Sequence, residues 1–164
     1  MIVYHGSNME VATPFAHLGR KNLDFGKGFY VTTLQEQARR WAETIVRLRP
    51  RGTAIINKYE LDYEGIKSAG FAILSFAEYN EEWLDFIVAN RNGESRWKQY
   101  DLIEGGIAND RVFDTIENYM SGGIDKQTAL GRLRYEHPNN QICILNQRII
   151  DQHLVYLGCE TLKP

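Results

Sequence analysis

The chain has 164 residues, of which 43% are hydrophobic and 24% charged, with a formal net charge of −2 and a pI near 6.1. These values fit one ordinary globular domain over residues 1–164, large enough to fold without staples. They argue against a protein that lives on nonspecific nucleic-acid affinity, which carries a strongly basic balance. No apolar run approaches a membrane span, and the opening MIVYHGS has neither a basic nor an apolar leader segment, so the expectation is a cytoplasmic protein with no membrane partner.

Met1–His5 reads as a short strand ending at Gly6. Gly26–Thr33 reads as a second, in which Phe29, Tyr30 and Val31 follow two glycines. Leu34–Leu48 is the clearest helix: Leu34, Ala38, Trp41, Ala42, Ile45 and Leu48 recur at helical spacing as one buried stripe. Thr33 with Glu36 fits a capping box, and Pro50 stands just past the end. Thr53–Leu61 and Ala69–Phe76 read as strands, Asn80–Ala89 as a short capped helix before an Asn92-Gly93 turn, and Tyr100–Ala108 as a strand. Helices are predicted over Asn109–Met120, closed by Gly122 and Gly123, and over Lys126–Tyr135. Gln141–Leu145 and Leu154–Leu162 are the last strands, flanking a short helical or turn segment near Gln147–Asp151. Strands at both ends with helices between them predict an α+β fold.

Cys143 and Cys159 each lie in an apolar run without C-x-x-C spacing, which predicts two reduced, largely buried thiols. Neither they nor His5, His17, His137 and His153 show metal-ligand spacing, so no metal is expected. Arg39, Arg40, Arg47, Arg49 and Arg51 form a basic run on and after the long helix. A solvated helix face is the plain account of it; a phosphate-binding patch for nucleic acid or an acidic partner is the sharper one.

Three separated pieces carry candidate chemistry: Tyr4-His5-Gly6-Ser7; Asp24-Phe25-Gly26-Lys27-Gly28-Phe29-Tyr30, continuing to Thr32-Thr33; and Asn139-Asn140-Gln141-Ile142. Each alone is a weak signal, since a glycine after or before a strand permits a bend for purely structural reasons. In this order, together with Gln37-Ala38, Trp41-Ala42 and the stretch Tyr100–Tyr119, they resemble the histidine–tyrosine–glutamate branch of the ADP-ribosyltransferase superfamily. That branch includes diphtheria-like toxins and poly(ADP-ribose) polymerases, and the likeness is to a bacterial family within the superfamily.

The resemblance implies two packed, antiparallel-rich β-sheets forming an NAD cleft with helices around them. It implies mono-ADP-ribosyl transfer from NAD, as co-substrate and without a metal, to a protein or nucleic-acid acceptor. It also implies a toxin-like setting, with a small neutralising protein partner in some members. Two alternatives stay open: a catalytically weak or inactive module that binds NAD or ADP-ribose, and an NAD glycohydrolase.

Residue by residue, the resemblance implies that His5 orients NAD through a ribose and that the Gly6 backbone meets the nicotinamide amide. Ser7 supports that side, Gly28 belongs to the NAD-binding loop and Tyr30 stacks on the nicotinamide ring. Gln141 stands where the superfamily has its glutamate, completing a catalytic set of His5, Tyr30 and Gln141. A glutamine keeps a hydrogen bond but has no charge or basicity, and losing general-base help costs on the order of 10²–10⁴-fold. Polymer elongation is therefore not expected, whereas single transfer remains open. Among the other residues, Asp24 reads as a capping or turn residue or as one facing NAD. Lys27 reads as solvated or as a pyrophosphate contact, Asp101 and Glu136 as surface charges or substitute carboxylates, and Phe29 and Trp41 as core.

Overall fold

The computed structural model describes residues 1–19, 23–48, 51–106, 110–136 and 140–163. In chain order the elements are β1 (Ile2–Ser7), β2 (Phe29–Val31), α1 (Gln35–Leu48), β3 (Ile55–Leu61), α2 (Tyr63–Ser68), β4 (Ile73–Ser75), α3 (Glu81–Arg91), β5 (Leu102–Gly105), α4 (Asp110–Met120), α5 (Lys126–Leu133), β6 (Gln141–Ile144), α6 (Gln147–His153) and β7 (Leu154–Thr161). Short polar side chains start four of the helices. Asp62, Asn80, Asp125 and Asn146 accept from backbone N–H groups of Gly65, Trp83, Thr128 and Arg148 that no helical carbonyl reaches.

The strands form two sheets, β1-β3-β7 and β2-β6-β5-β4. Among the described residues every pairing of these strands is antiparallel except β4 with β5. The fold is thus α+β, and its layering follows from the period of two along each strand. On one face of the four-stranded sheet, Ile103 and Cys143 pack against Trp83, Leu84 and Ile87 of α3, Val112 and Ile116 of α4, and Leu133 of α5. On its other face Phe29, Val31, Leu102, Ile142 and Ile144 meet Val3, Tyr59 and Leu61 of the three-stranded sheet. The outer face of that sheet takes Ala38 and Ala42 of α1 against Ile56. The order is helices, sheet, sheet, helix. The two sheets also join edge to edge through one backbone bridge, Tyr4 with Thr32.

Several expectations need correction. The predicted strand Gly26–Thr33 contracts to Phe29–Val31, because Gly26 takes a positive φ of 86° and lies flat on the Trp97 ring, where a Cβ would come within 2.1 Å of the indole. Residues Tyr63–Ser68 form a helix that was not foreseen, being too short for a periodic signal, and the strand expected over Ala69–Phe76 shrinks to Ile73–Ser75.

The stripe on α1 is only partly buried: Ala38 and Ala42 are enclosed, but Leu34 and Trp41 are 47% exposed and Leu48 73%. Gly6 lets the helix backbone settle onto β1 through its two alanines, which leaves the bulky residues on the flank. Trp41 is therefore not core, while Phe29 is. The capping box does not form as expected. The helix begins at Gln35, the Leu34 N–H donates to the hydroxyl of Thr32 rather than Thr33, and Glu36 pairs with Arg39 and Arg40. Cys143 is buried, but Cys159 is exposed on β7, contrary to expectation. The expectations placed on Arg49, Pro50, Ala108, Asn109, His137 and Asn139 lie outside the described residues. No helix of the described residues is long and apolar enough to cross a membrane.

Candidate functional site

β1 places Val3, His5 and Ser7 on the side facing the other sheet, and Tyr4 and Gly6 on the side facing α1. The His5 ring lies 4.7 Å from the Phe29 ring, between the sheets. Its Nδ1 stands 2.7 Å from the carbonyl oxygen of Tyr30. A carbonyl only accepts, so Nδ1 carries the proton and donates it. Burial holds the imidazole below its ordinary pKa of 6.5, with the Tyr30 hydrogen bond opposing that shift more weakly. The neutral ring protonated on Nδ1 leaves Nε2 as an acceptor.

Tyr30 lies in the middle of β2, opposite Cys143 of β6. Its side chain falls on the helix side of the four-stranded sheet, packed against the core there, and its hydroxyl donates to the Gly26 carbonyl at 2.6 Å. Burial, with Cys143 and Asp24 nearby, raises the phenol well above its ordinary pKa, so it stays protonated and the ring stays tethered. The fold therefore brings the His5 ring to the Tyr30 backbone, while the two side chains occupy opposite faces of β2.

The glycines of the motifs have packing duties. A Cβ on Gly6 would sit 2.0 Å from the Ala38 carbonyl oxygen and 2.9 Å from the Ala42 nitrogen, so this position is empty for α1. A Cβ on Gly28 would sit 2.5 Å from Cys143 Sγ and 2.7 Å from the Ile144 oxygen, so Gly28 keeps its loop close to β6. Ser7 is buried and pairs with Ile55 on β3.

Gln141 opens β6, half-buried and opposite Gly105 of β5. By strand alternation it shares the helix-side face with Cys143 and Tyr30. Just before it, the Thr32 hydroxyl donates to the Asn140 carbonyl at 2.6 Å.

The charged residues are mostly committed to the fold. Asp24 accepts from Arg91 Nε at 2.8 Å, and its carbonyl accepts from Asn90 Nδ2; Arg91 also reaches Glu117 and lies over the Phe113 ring. This tie from the glycine loop to α3 joins residues far apart in the chain and has no local sequence signal. Asp101 accepts from the Ala72 N–H and from Asn146 Nδ2, which makes it a structural clamp. Glu104, not foreseen as a candidate, stands next to Gly105 on β5. It is opposite Ile142, on the inter-sheet face, and accepts from the Tyr63 hydroxyl at 2.7 Å. Lys27 is half-buried. Of the basic run, Arg39 pairs with Glu36 and Glu160, and Arg40 with Glu36, which favours the solvated, ion-paired face.

Two concavities among the described residues each take in one candidate residue, Glu136 in the first and Tyr4 in the second, and neither is lined by His5, Tyr30 or Gln141. One, of about 340 Å³, runs between the start of α3 and the end of α5, lined by Tyr79, Glu81, Leu133, Arg134 and Glu136 among others. The second, of about 280 Å³, is lined by Tyr4, Gln35, Lys58 and Glu160 among others. Among the described residues no three His, Cys, Asp or Glu side chains come together as a metal site.

No curated protein and no solved structure matches the chain. One family model, described as "Protein of unknown function (DUF3990)", matches residues 1–156, from the histidine motif of β1 through the Gln141 strand and into β7. By that match over nearly its whole length, the chain belongs to the DUF3990 family.

Proposed function

We propose that this protein transfers a single ADP-ribosyl group from NAD to a macromolecular acceptor. The observation that carries the reading is the 2.7 Å hydrogen bond from His5 to the Tyr30 carbonyl. It joins the histidine of one motif to the tyrosine of another across two sheets, and it leaves Nε2 as an acceptor for a ribose hydroxyl of an NAD that passes round the edge strand β2, since the Tyr30 ring lies on the opposite face. Tyr30, tethered through its own hydroxyl to Gly26, supplies a fixed ring for stacking the nicotinamide. Such an aromatic pair contributes about 0.5–1.5 kcal/mol beyond burial. Gln141, on the Tyr30 face of β6, supplies an amide for the nicotinamide ribose. The packing roles of Gly6 and Gly28 are compatible with their backbone groups meeting the ligand.

The chemistry balances without a general acid. The bond from ribose C1′ to the pyridinium nitrogen breaks, and its electron pair returns to that nitrogen, so nicotinamide leaves neutral. A nucleophilic atom of the acceptor bonds to C1′ through an oxocarbenium-like transition state and releases its proton to solvent, since Gln141 is no base. The toxin-like setting and a small neutralising protein partner belong to the same reading. The uncharged Gln141 favours one second reading, a module that binds NAD or ADP-ribose without turning it over.

NAD labelled in its adenylate half, incubated with a lysate of proteins and RNA, separates these readings. A labelled macromolecule whose yield falls sharply but measurably with Gln141→Ala, and is lost with Tyr30→Ala, is the expected result, and protease or nuclease sensitivity then gives the acceptor class. Nicotinamide release without label makes the protein a glycohydrolase. NAD binding without release makes it a binding module. NAD affinity unchanged in both His5→Ala and Tyr30→Ala overturns the site itself.

A further inference from the structure

Thr32 lies where the strands of the candidate site meet, and it is only 5% exposed. Its backbone forms the bridge to β1, with Tyr4 N–H donating to its carbonyl at 2.7 Å and its own N–H donating to the Tyr4 carbonyl at 2.9 Å. The neighbour of Tyr4 is His5, and two residues before Thr32 is Tyr30. The Thr32 hydroxyl donates to the Asn140 carbonyl at 2.6 Å and accepts from the Leu34 N–H, at the entry to α1, at 3.1 Å.

The carbonyl of Asn140 and the N–H of Gln141 belong to one planar peptide. Fixing that carbonyl orients the plane from which the Gln141 Cα and side chain project. The pairing of β2 with β6 runs Phe29 with Ile144, Tyr30 with Cys143 and Val31 with Ile142. Continued by one step, it sets Thr32 opposite Gln141, and there the hydroxyl reaches the carbonyl just before the strand.

From this geometry we infer that Thr32 is a positioning residue: its hydroxyl clamps the Asn140–Gln141 peptide and so sets the reach of the Gln141 amide toward the nicotinamide ribose. The inference rests on the ADP-ribosyl-transfer reading and deepens it. A hydroxyl that donates and accepts at once is what the site uses. Serine preserves it. Valine keeps the shape and removes both hydrogen bonds.

The test is a cycle of wild type, Thr32→Val, Thr32→Ser, Gln141→Ala and the Thr32→Val/Gln141→Ala double variant, each assayed for nicotinamide release and label transfer from NAD. In Thr32→Val the expected kcat falls about tenfold or more, as for a group misplaced by a fraction of an ångström to an ångström. KM for NAD stays within about twofold, and Thr32→Ser stays within about threefold of wild-type kcat. In the Gln141→Ala background Thr32→Val costs nothing further, because the group it positions is gone.

A Thr32→Val effect of equal size with and without Gln141, or no effect on kcat, overturns the positioning role and leaves the transfer reading standing. A wild-type protein that neither releases nicotinamide nor labels an acceptor overturns the transfer reading and this inference with it. Should Thr32→Val lose its native circular dichroism, Thr32→Ala takes its place in the same cycle.

Discussion

His5 is held neutral between two sheets, and that state has a measurable cost in acid. Its folded-state pKa lies below the ordinary 6.5 because burial penalises the imidazolium. Once the pH falls below 6.5, the unfolded chain takes up a proton at this position that the folded chain still refuses. The His5 contribution to stability is thus fully present above pH 6.5 and is lost as the pH falls through the depressed folded-state value. Substitution by glutamine removes the titration while keeping a polar side chain. Urea midpoints for wild type and His5→Gln should run parallel above about pH 7 and converge or cross below about pH 6, as wild type loses stability faster. The other histidines contribute equally to both chains and cancel. Parallel midpoints down to about pH 5 would mean that His5 is not held neutral by the fold. The residue was legible in the sequence through its motif. Its partner was not, because the Tyr30 group it holds is a backbone carbonyl on another sheet, and side-chain patterns do not report carbonyls.

At the level of elements, β1 and α1 are matched through a missing side chain. The Ala38 carbonyl and Ala42 nitrogen occupy the space a Cβ on Gly6 would take, so Gly6→Ala forces α1 off the strand. The expected loss is about 1–3 kcal/mol, the range for overpacking a filled interior. Gly131 offers the contrast: it lies inside α5, and a Cβ there meets nothing within 4 Å. Gly131→Ala should raise stability by up to about 1 kcal/mol through helix propensity alone. Urea denaturation of the two variants checks both signs, and a neutral Gly6→Ala would mean that α1 does not rest on β1 as described. Element legibility follows the same physics. The existence of α1 could be read from its helical periodicity and that of α3 from its Asn80 cap, since both signals are local. The ends of β2 could not, because the packing of Gly26 on Trp97 decides them, and α2 was missed because six residues carry too little period.

For the whole molecule, β6 is the strand that makes the layers interdependent. Cys143 faces the helix-side core, while Ile142 and Ile144 face the core between the sheets, so neither core opens fully without disturbing the strand they share. The α+β class could be read from element order, but this sharing could not, since it depends on which strands sit side by side. The two thiols report on it. Cys159 is exposed, whereas Cys143 is buried and its thiol is pushed up by desolvation, out of the range in which a thiolate forms at neutral pH. A disulfide reagent added to native protein should therefore label one thiol promptly and leave the other. Labelling of the second should accelerate with urea in parallel with the rate or population of global unfolding followed by circular dichroism, because only loss of the layered core exposes Cys143. Cys159→Ser should abolish the prompt phase and leave the slow one unchanged. If the slow phase ran in native buffer at a rate indifferent to urea, β2 and β6 would be parting locally. The Thr32–Asn140 contact, which spans that strand pair, would then open on the same timescale.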